Sequence, residues 1–204
     1  ALGMRVLRAK LVRKHLRLYR ILFEIAPPDY HVLLDGNFIF TAIKLKIDLR
    51  DRLEKLLQGV SVKIYILQSA LQELELVGEK ALKAKEFAKK FCEIIDDINL
   101  VTGENASERL VAFIDENAKR NTKLATVSTS TSTGSILGRY RYFVATQDQE
   151  MRRKLAMTPG VPLIYLNQVT LVLESPSRST IQYSQQMEQA KQALNAEESS
   201  MMHT

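Results

Sequence analysis

The chain has 204 residues, 46% of them hydrophobic, and a formal net charge of +6, which is length enough for one domain with a full core. Its single cysteine, Cys92, excludes an intrachain disulfide framework and a cysteine-built zinc cage. No apolar run approaches the ~20 residues that cross a bilayer and no secretory signal pattern opens the sequence, so no membrane partner is expected.

Residues 1–3, Ala-Leu-Gly ahead of Met4, read as a cloning remnant. Residues 4–25 concentrate positive charge: Arg5, Arg8, Lys10, Arg13, Lys14, Arg17 and Arg20 all precede the first acid, Glu24. Val6, Leu7, Leu11, Leu18, Ile21 and Leu22 recur among them at helical spacing, which predicts a basic amphipathic helix. Cations at this density neutralise several phosphates and give salt-sensitive affinity with little sequence information. These seven residues are therefore the candidate RNA-binding set. A solvated face, a nuclear address and a membrane-surface helix are the alternatives, and the last lacks the Trp/Phe-rich apolar face it needs.

Pro27-Pro28 ends that helix. Strands are predicted at 31–34, 62–67, 97–101, 141–146 and 161–166, with a short edge piece at 170–173. Between them come a short helix from Asn37, a charged one over 49–57 that stops at Gly59, helices at 69–77 and 79–95, one at 107–117, and one opened by Asp148 that ends before Pro159-Gly160. This alternation predicts a single α/β domain over 26–174, a parallel sheet covered by helices on both faces. The Ser/Thr-rich stretch 119–139 reads as a flexible insertion. Residues 175–204 read as a polar tail in which 185–196 can form a helix.

Four acids follow four of the strand-like runs: Asp35, Glu73, Glu108 and Asp148. In an open parallel sheet, ligands bind beyond the carboxyl ends of the strands, near the switch in strand order. Carboxylates crowded there repel unless protons or a hard divalent cation neutralise them. The plainer alternative is that each caps the helix after its strand, and both readings stand at this point.

The motifs Tyr142-Phe-Val-Ala-Thr-Gln-Asp, Met151-Arg-Arg-Lys-Leu and Pro159-Gly-Val-Pro-Leu-Ile-Tyr, with Val32-Leu-Leu-Asp-Gly-Asn-Phe, Leu71-Gln-Glu-Leu-Glu and the opening Lys10 to His15, resemble the PIN-domain proteins of small-subunit ribosome assembly. The resemblance covers about residues 4–174. Its Thr146-Gln147-Asp148 triplet sides with the binding and scaffolding type of that family rather than with the sister nuclease type. It implies a PIN-like fold with Asp35, Glu73, Glu108 and Asp148 as the catalytic carboxylates, active or vestigial, and Glu150 as a further acid. Asp35 and Asp148 would be the main ligands of Mg²⁺ or Mn²⁺, ions that activate water against an RNA phosphodiester. Glu108 stands where Asp is usual, and Mg²⁺ demands near-ideal geometry.

Members of this family often carry a Cys-Cys-His-Cys zinc knuckle whose places fall here on Cys92, Asp97, Asn99 and Arg109. No zinc is therefore expected, and Cys92 reads as a small core residue. Phosphate loops, Gly-x-Ser-x-Gly elbows and His-Glu-x-x-His are absent from the sequence, and His31 reads as structural. Two functions follow from the resemblance. One is an RNA-binding assembly factor of the nucleolar small-subunit processome, working on pre-rRNA with a small nucleolar RNA and other processome proteins. The other is a metal-dependent endoribonuclease cutting single-stranded RNA.

Overall fold

The computed structural model describes residues 2–126, 137–138 and 140–201, with side chains described from Leu7 to Asn121, for Leu137 and Gly138, and from Tyr140 to Ala193. Six strands form one sheet in the order β3-β2-β1-β4-β5-β6. They are β1 (Asp29–Leu34), β2 (Ser61–Leu67), β3 (Glu93–Ile95), β4 (Tyr142–Ala145), β5 (Leu163–Asn167) and β6 (Thr170–Leu173). The first five run parallel, and β6 closes one edge antiparallel to β5. The helices are α1 (Leu2–Phe23), α2 (Gly36–Lys44), α3 (Leu49–Leu56), α4 (Gln68–Leu76), α5 (Leu82–Phe91), α6 (Ala106–Thr126), α7 (Gln149–Leu155) and α8 (Arg178–Met201).

The central strands are buried on both faces, which is why they read as unbroken apolar runs. Val32, Leu33, Leu34, Ile66, Phe143 and Val144 are all within 0% exposure. Leu34 pairs with Ile66 on one side and Ala145 on the other. The chain moves from β1 outward through β2 to β3, then returns to lay β4 on the other side of β1. The switch in strand order thus falls between β1 and β4, where Asp35 and Asp148 leave the sheet.

Three expectations need correction. The third strand is Glu93–Ile95, not 97–101, because α5 stops at Phe91 and Cys92 turns extended at ψ 141°. Residues 96–101 instead wrap around Asp97, which is 0% exposed and accepts from the Ser69 amide at 3.0 Å and its hydroxyl at 2.6 Å. The stretch 119–139 opens as helix: α6 continues through 126, supported by the Arg120–Glu116 pair at 3.1 Å. Asn117 on α6 then holds the returning chain, donating to the Tyr140 carbonyl at 2.8 Å and accepting from the Gly138 amide at 2.7 Å. Residues 127–136 and 139 of that stretch lie outside the described residues.

The basic helix is seated by a different stripe from the one expected. His15, Leu16, Tyr19 and Phe23 are buried, whereas Leu7, Leu11 and Ile21 are exposed. Phe23 packs where Gly160 has no side chain; a Cβ there would lie 2.2 Å from its ring. The Gly160 amide donates to the buried Thr180 hydroxyl at 3.0 Å, and Tyr183 meets Phe23 at 5.2 Å between centroids. The start of α8 is therefore part of the packed body, and its continuation beyond 184 is exposed through Ala193. His31 is structural as expected, stacked on Tyr140 at 3.8 Å and hydrogen-bonded to the Tyr65 hydroxyl at 2.9 Å.

Candidate functional site

Asp35 leaves β1 as the N-cap of α2, at φ −77° and ψ 145°, and is 7% exposed. One carboxylate oxygen accepts from the Thr146 hydroxyl at 3.0 Å, and that hydroxyl accepts from the Asp148 amide at 3.1 Å. A single buried side chain therefore ties the acid after β1 to the acid after β4. Burial first, and then the charges of Asp148 and Glu73, push the Asp35 carboxyl up to about 6 against the Thr146 hydroxyl and the Asn37 amide. Asp35 therefore lies within the field of both Asp148 and Glu73.

Each of the other three acids also has a local task. Glu73, exposed on α4, reaches across to accept from the Ala106 amide at 2.7 Å, capping α6 from a neighbouring helix. Glu108 takes the Glu104 amide at 3.0 Å, while its own amide donates to Asn105 at 2.8 Å, a reciprocal cap at the start of α6. Asp148 caps α7 through the amides of Glu150 and Met151 at 2.8 and 3.2 Å. Glu108, Asp148 and Glu150 line one cleft of about 300 Å³, with Lys154 paired to Glu150 at 3.2 Å on its wall. Glu73 lines a separate, more apolar hollow with Gly36, Asn37 and Phe40.

Among the described residues, no three His, Cys, Asp or Glu side chains stand close enough together to hold a metal ion. Asp35 and Asp148 carry hard carboxylate oxygens, the donor type that Mg²⁺ and Mn²⁺ take. Glu73, Glu108 and Asp148 each also accept from backbone amides, through one oxygen apiece. Thr146 is the site residue the reading of acids missed. Its signal is the small hydroxyl side chain two places before Asp148. Gln147 of the same triplet is structural and clamps β5, bonding both the carbonyl and the amide of Leu166 at 3.1 and 2.6 Å.

Arg8, Lys10, Arg13, Lys14, Arg17 and Arg20 are exposed on α1; the side chain of Arg5 lies outside the described residues. At ~100° per residue, Lys10, Arg13, Arg17 and Arg20 form a strip beside the face of Leu16, Tyr19 and Phe23, about a quarter turn round the helix. Among the described residues none of the six is seen in an ion pair.

The four knuckle places form no donor set for zinc. Cys92 packs partly buried against the core, its thiol pushed up to about 12 by burial. Asp97 is committed to Ser69, Asn99 is exposed, and Arg109 donates to the Val101 carbonyl at 3.3 Å.

The Fcf1 family pattern matches residues 55–175. The rRNA-processing protein utp23 of Schizosaccharomyces pombe is 32% identical over 200 residues, 96% of this chain and 67% of that protein. The human rRNA-processing protein FCF1 homolog is 27% identical over 144 residues, 71% of this chain and 60% of its own length. A solved structure of the PIN domain endonuclease Utp24 matches with a TM-score of 0.55 at 24% identity, covering 74% of this chain and 94% of that one. At that identity the likeness is one of fold.

Proposed function

The chain belongs to the Fcf1 family of PIN-domain rRNA-processing proteins, and on that premise we propose that it is an RNA-binding ribosome-assembly factor acting in pre-rRNA processing. Within that role its RNA partners are pre-rRNA and a small nucleolar RNA. Its protein partners are other components of the small-subunit processome, and its place is the nucleolus.

One observation carries this reading: the exposed strip Lys10, Arg13, Arg17 and Arg20 on α1, beside the face that docks the helix. Such a strip gains affinity by releasing counterions from phosphates. The carboxyl edge supports binding over cleavage, since two-ion hydrolysis needs ions about 3.5–4 Å apart and among the described residues no three acids stand close enough together to hold one ion. Asp35 and Asp148 are the donors for a weakly held Mg²⁺ or Mn²⁺.

The alternative is a metal-dependent endoribonuclease. Its specific support is the Thr146 hydroxyl that ties Asp35 to Asp148 at the carboxyl ends of β1 and β4, with Asp35 raised first by burial and then by the charges of Asp148 and Glu73.

Two measurements test the assignment. Replacing Arg13, Arg17 and Arg20 by Gln should weaken RNA binding and reduce the salt slope by roughly one unit per lost phosphate contact. Charge neutralisation is preferable to deleting 4–20, which would also remove the buried Leu16 and Tyr19. An unchanged slope would remove α1 from the RNA surface. In Mn²⁺ with single-stranded RNA, neither the wild type nor Asp35→Asn should cleave. Cleavage by the wild type that disappears in Asp35→Asn would establish the nuclease instead.

A further inference from the structure

The basic strip is not the whole solvent side of α1. Leu7, Leu11 and Ile21 are 66%, 49% and 58% exposed, and Leu18 is only partly buried against the core. Leu7, Leu11, Leu18 and Ile21, with Lys14 in the gap, follow one another at spacings of four and three. That 3.5-residue period is the seam of a helix that packs against another helix. At ~100° per residue the seam runs beside the basic strip, apart from the buried stripe of Leu16, Tyr19 and Phe23. Leu18 touches the core at one edge of the seam, and the described residues leave Leu7, Leu11 and Ile21 uncovered.

Phosphates gain nothing from aliphatic surface, so RNA does not explain four large aliphatic residues at this period. A helix that buries them must tolerate Lys14 within the seam and Lys10 and Arg17 along its rim, with no acid on α1 before Glu24. Like charges there would be repelled, so the complementary partner has apolar residues at the same period with Asp or Glu beside them. We propose that the Leu7–Leu11–Leu18–Ile21 seam docks an acidic amphipathic helix of a protein partner, leaving the neighbouring Arg13, Arg17 and Arg20 for RNA. One helix then joins a protein to an RNA through two adjacent strips. This goes beyond the RNA reading and does not depend on it.

The test uses the full chain and a labelled synthetic peptide of about four heptads, with Leu at a and d and Glu at e and g. Fluorescence anisotropy is read for the wild type, for Leu7→Ser/Leu11→Ser/Ile21→Ser and for Arg13→Gln/Arg17→Gln/Arg20→Gln, against both peptide and single-stranded RNA. The wild type should bind the peptide, and the serine variant should lose at least ~tenfold in peptide affinity, as loss of interface anchors does, with RNA affinity unchanged. Circular dichroism checks its helix content; if the triple variant misfolds, Leu11→Ser alone carries the comparison. No peptide binding by the wild type, or equal binding by the serine variant, would overturn the proposal. So would RNA affinity falling together with peptide affinity. Two other occupants have their own signatures: a serine-sensitive dimer in sedimentation means a second copy, and serine-sensitive binding to phosphatidylcholine–phosphatidylserine vesicles without peptide binding means a lipid surface. Either would also overturn it.

Discussion

Replacing Asp35 by Asn should make the protein more stable at neutral pH, although it removes a residue of the candidate site. The Asp35 carboxyl is pushed from its ordinary value of 3.8 up to about 6 in the fold, because burial and the charges of Asp148 and Glu73 disfavour its ionised form. The folded chain therefore binds more protons than the unfolded chain between those values. Stability falls as pH rises through that window, and the full penalty is present above it. A shift of this size corresponds to about 3 kcal/mol. The variant should gain up to about 3 kcal/mol at pH 8 and only about 1 kcal/mol at pH 4.5. Asn keeps an oxygen for the Thr146 hydroxyl and remains a good N-cap for α2. Urea unfolding of both proteins across this range measures the difference. His15 works in the opposite sense: burial lowers its pKa, so stability is lost as pH falls through its unfolded value. Both proteins contain it, and the subtraction removes it. A variant less stable at pH 8, or a gain that does not shrink toward pH 4.5, would refute the reasoning.

Protein purified without added metal should contain no stoichiometric zinc by elemental analysis, and Cys92→Ser should fold; one tightly held equivalent would restore the knuckle. Asp97→Ala should cost roughly 2–4 kcal/mol in urea unfolding, since it strands the buried amide and hydroxyl of Ser69. Gly160→Ala should cost at least ~3 kcal/mol, combining the φ of +80° with a Cβ inside the Phe23 ring; a neutral effect would mean that α1 docks elsewhere.

The order of strands and helices was legible because the central strands are buried on both faces and read as apolar runs. The nearness of Asp35 to Asp148 was legible because the ends of neighbouring parallel strands converge. What escaped notice depends on distant partners. Ile94-Ile95 and Ile98 to Val101 are both apolar, and only the Ser69–Asp97 bonds decide which becomes strand. The α1 docking stripe was obscured because Leu7, Leu11 and Ile21 repeat as regularly as Leu16, Tyr19 and Phe23. Periodicity reports that a helix has an apolar face, and here it has two. Capping was one of the two readings the acids left open, because a carboxylate suits a metal and a helix start equally well; that Glu73 caps α6 from α4 depends on a contact between helices.

Phe23 ends α1, fills the space left by Gly160 after α7 and touches Tyr183 on α8. The two long flanking helices thus share one joint on the domain. Their stabilities are consequently linked: loosening α8 at Tyr183 removes a wall of the Phe23 seat and raises the probability that α1 undocks. The affinity of α1 for its ligands then depends on a helix that does not touch them, and a binding event on either arm biases the order of the other.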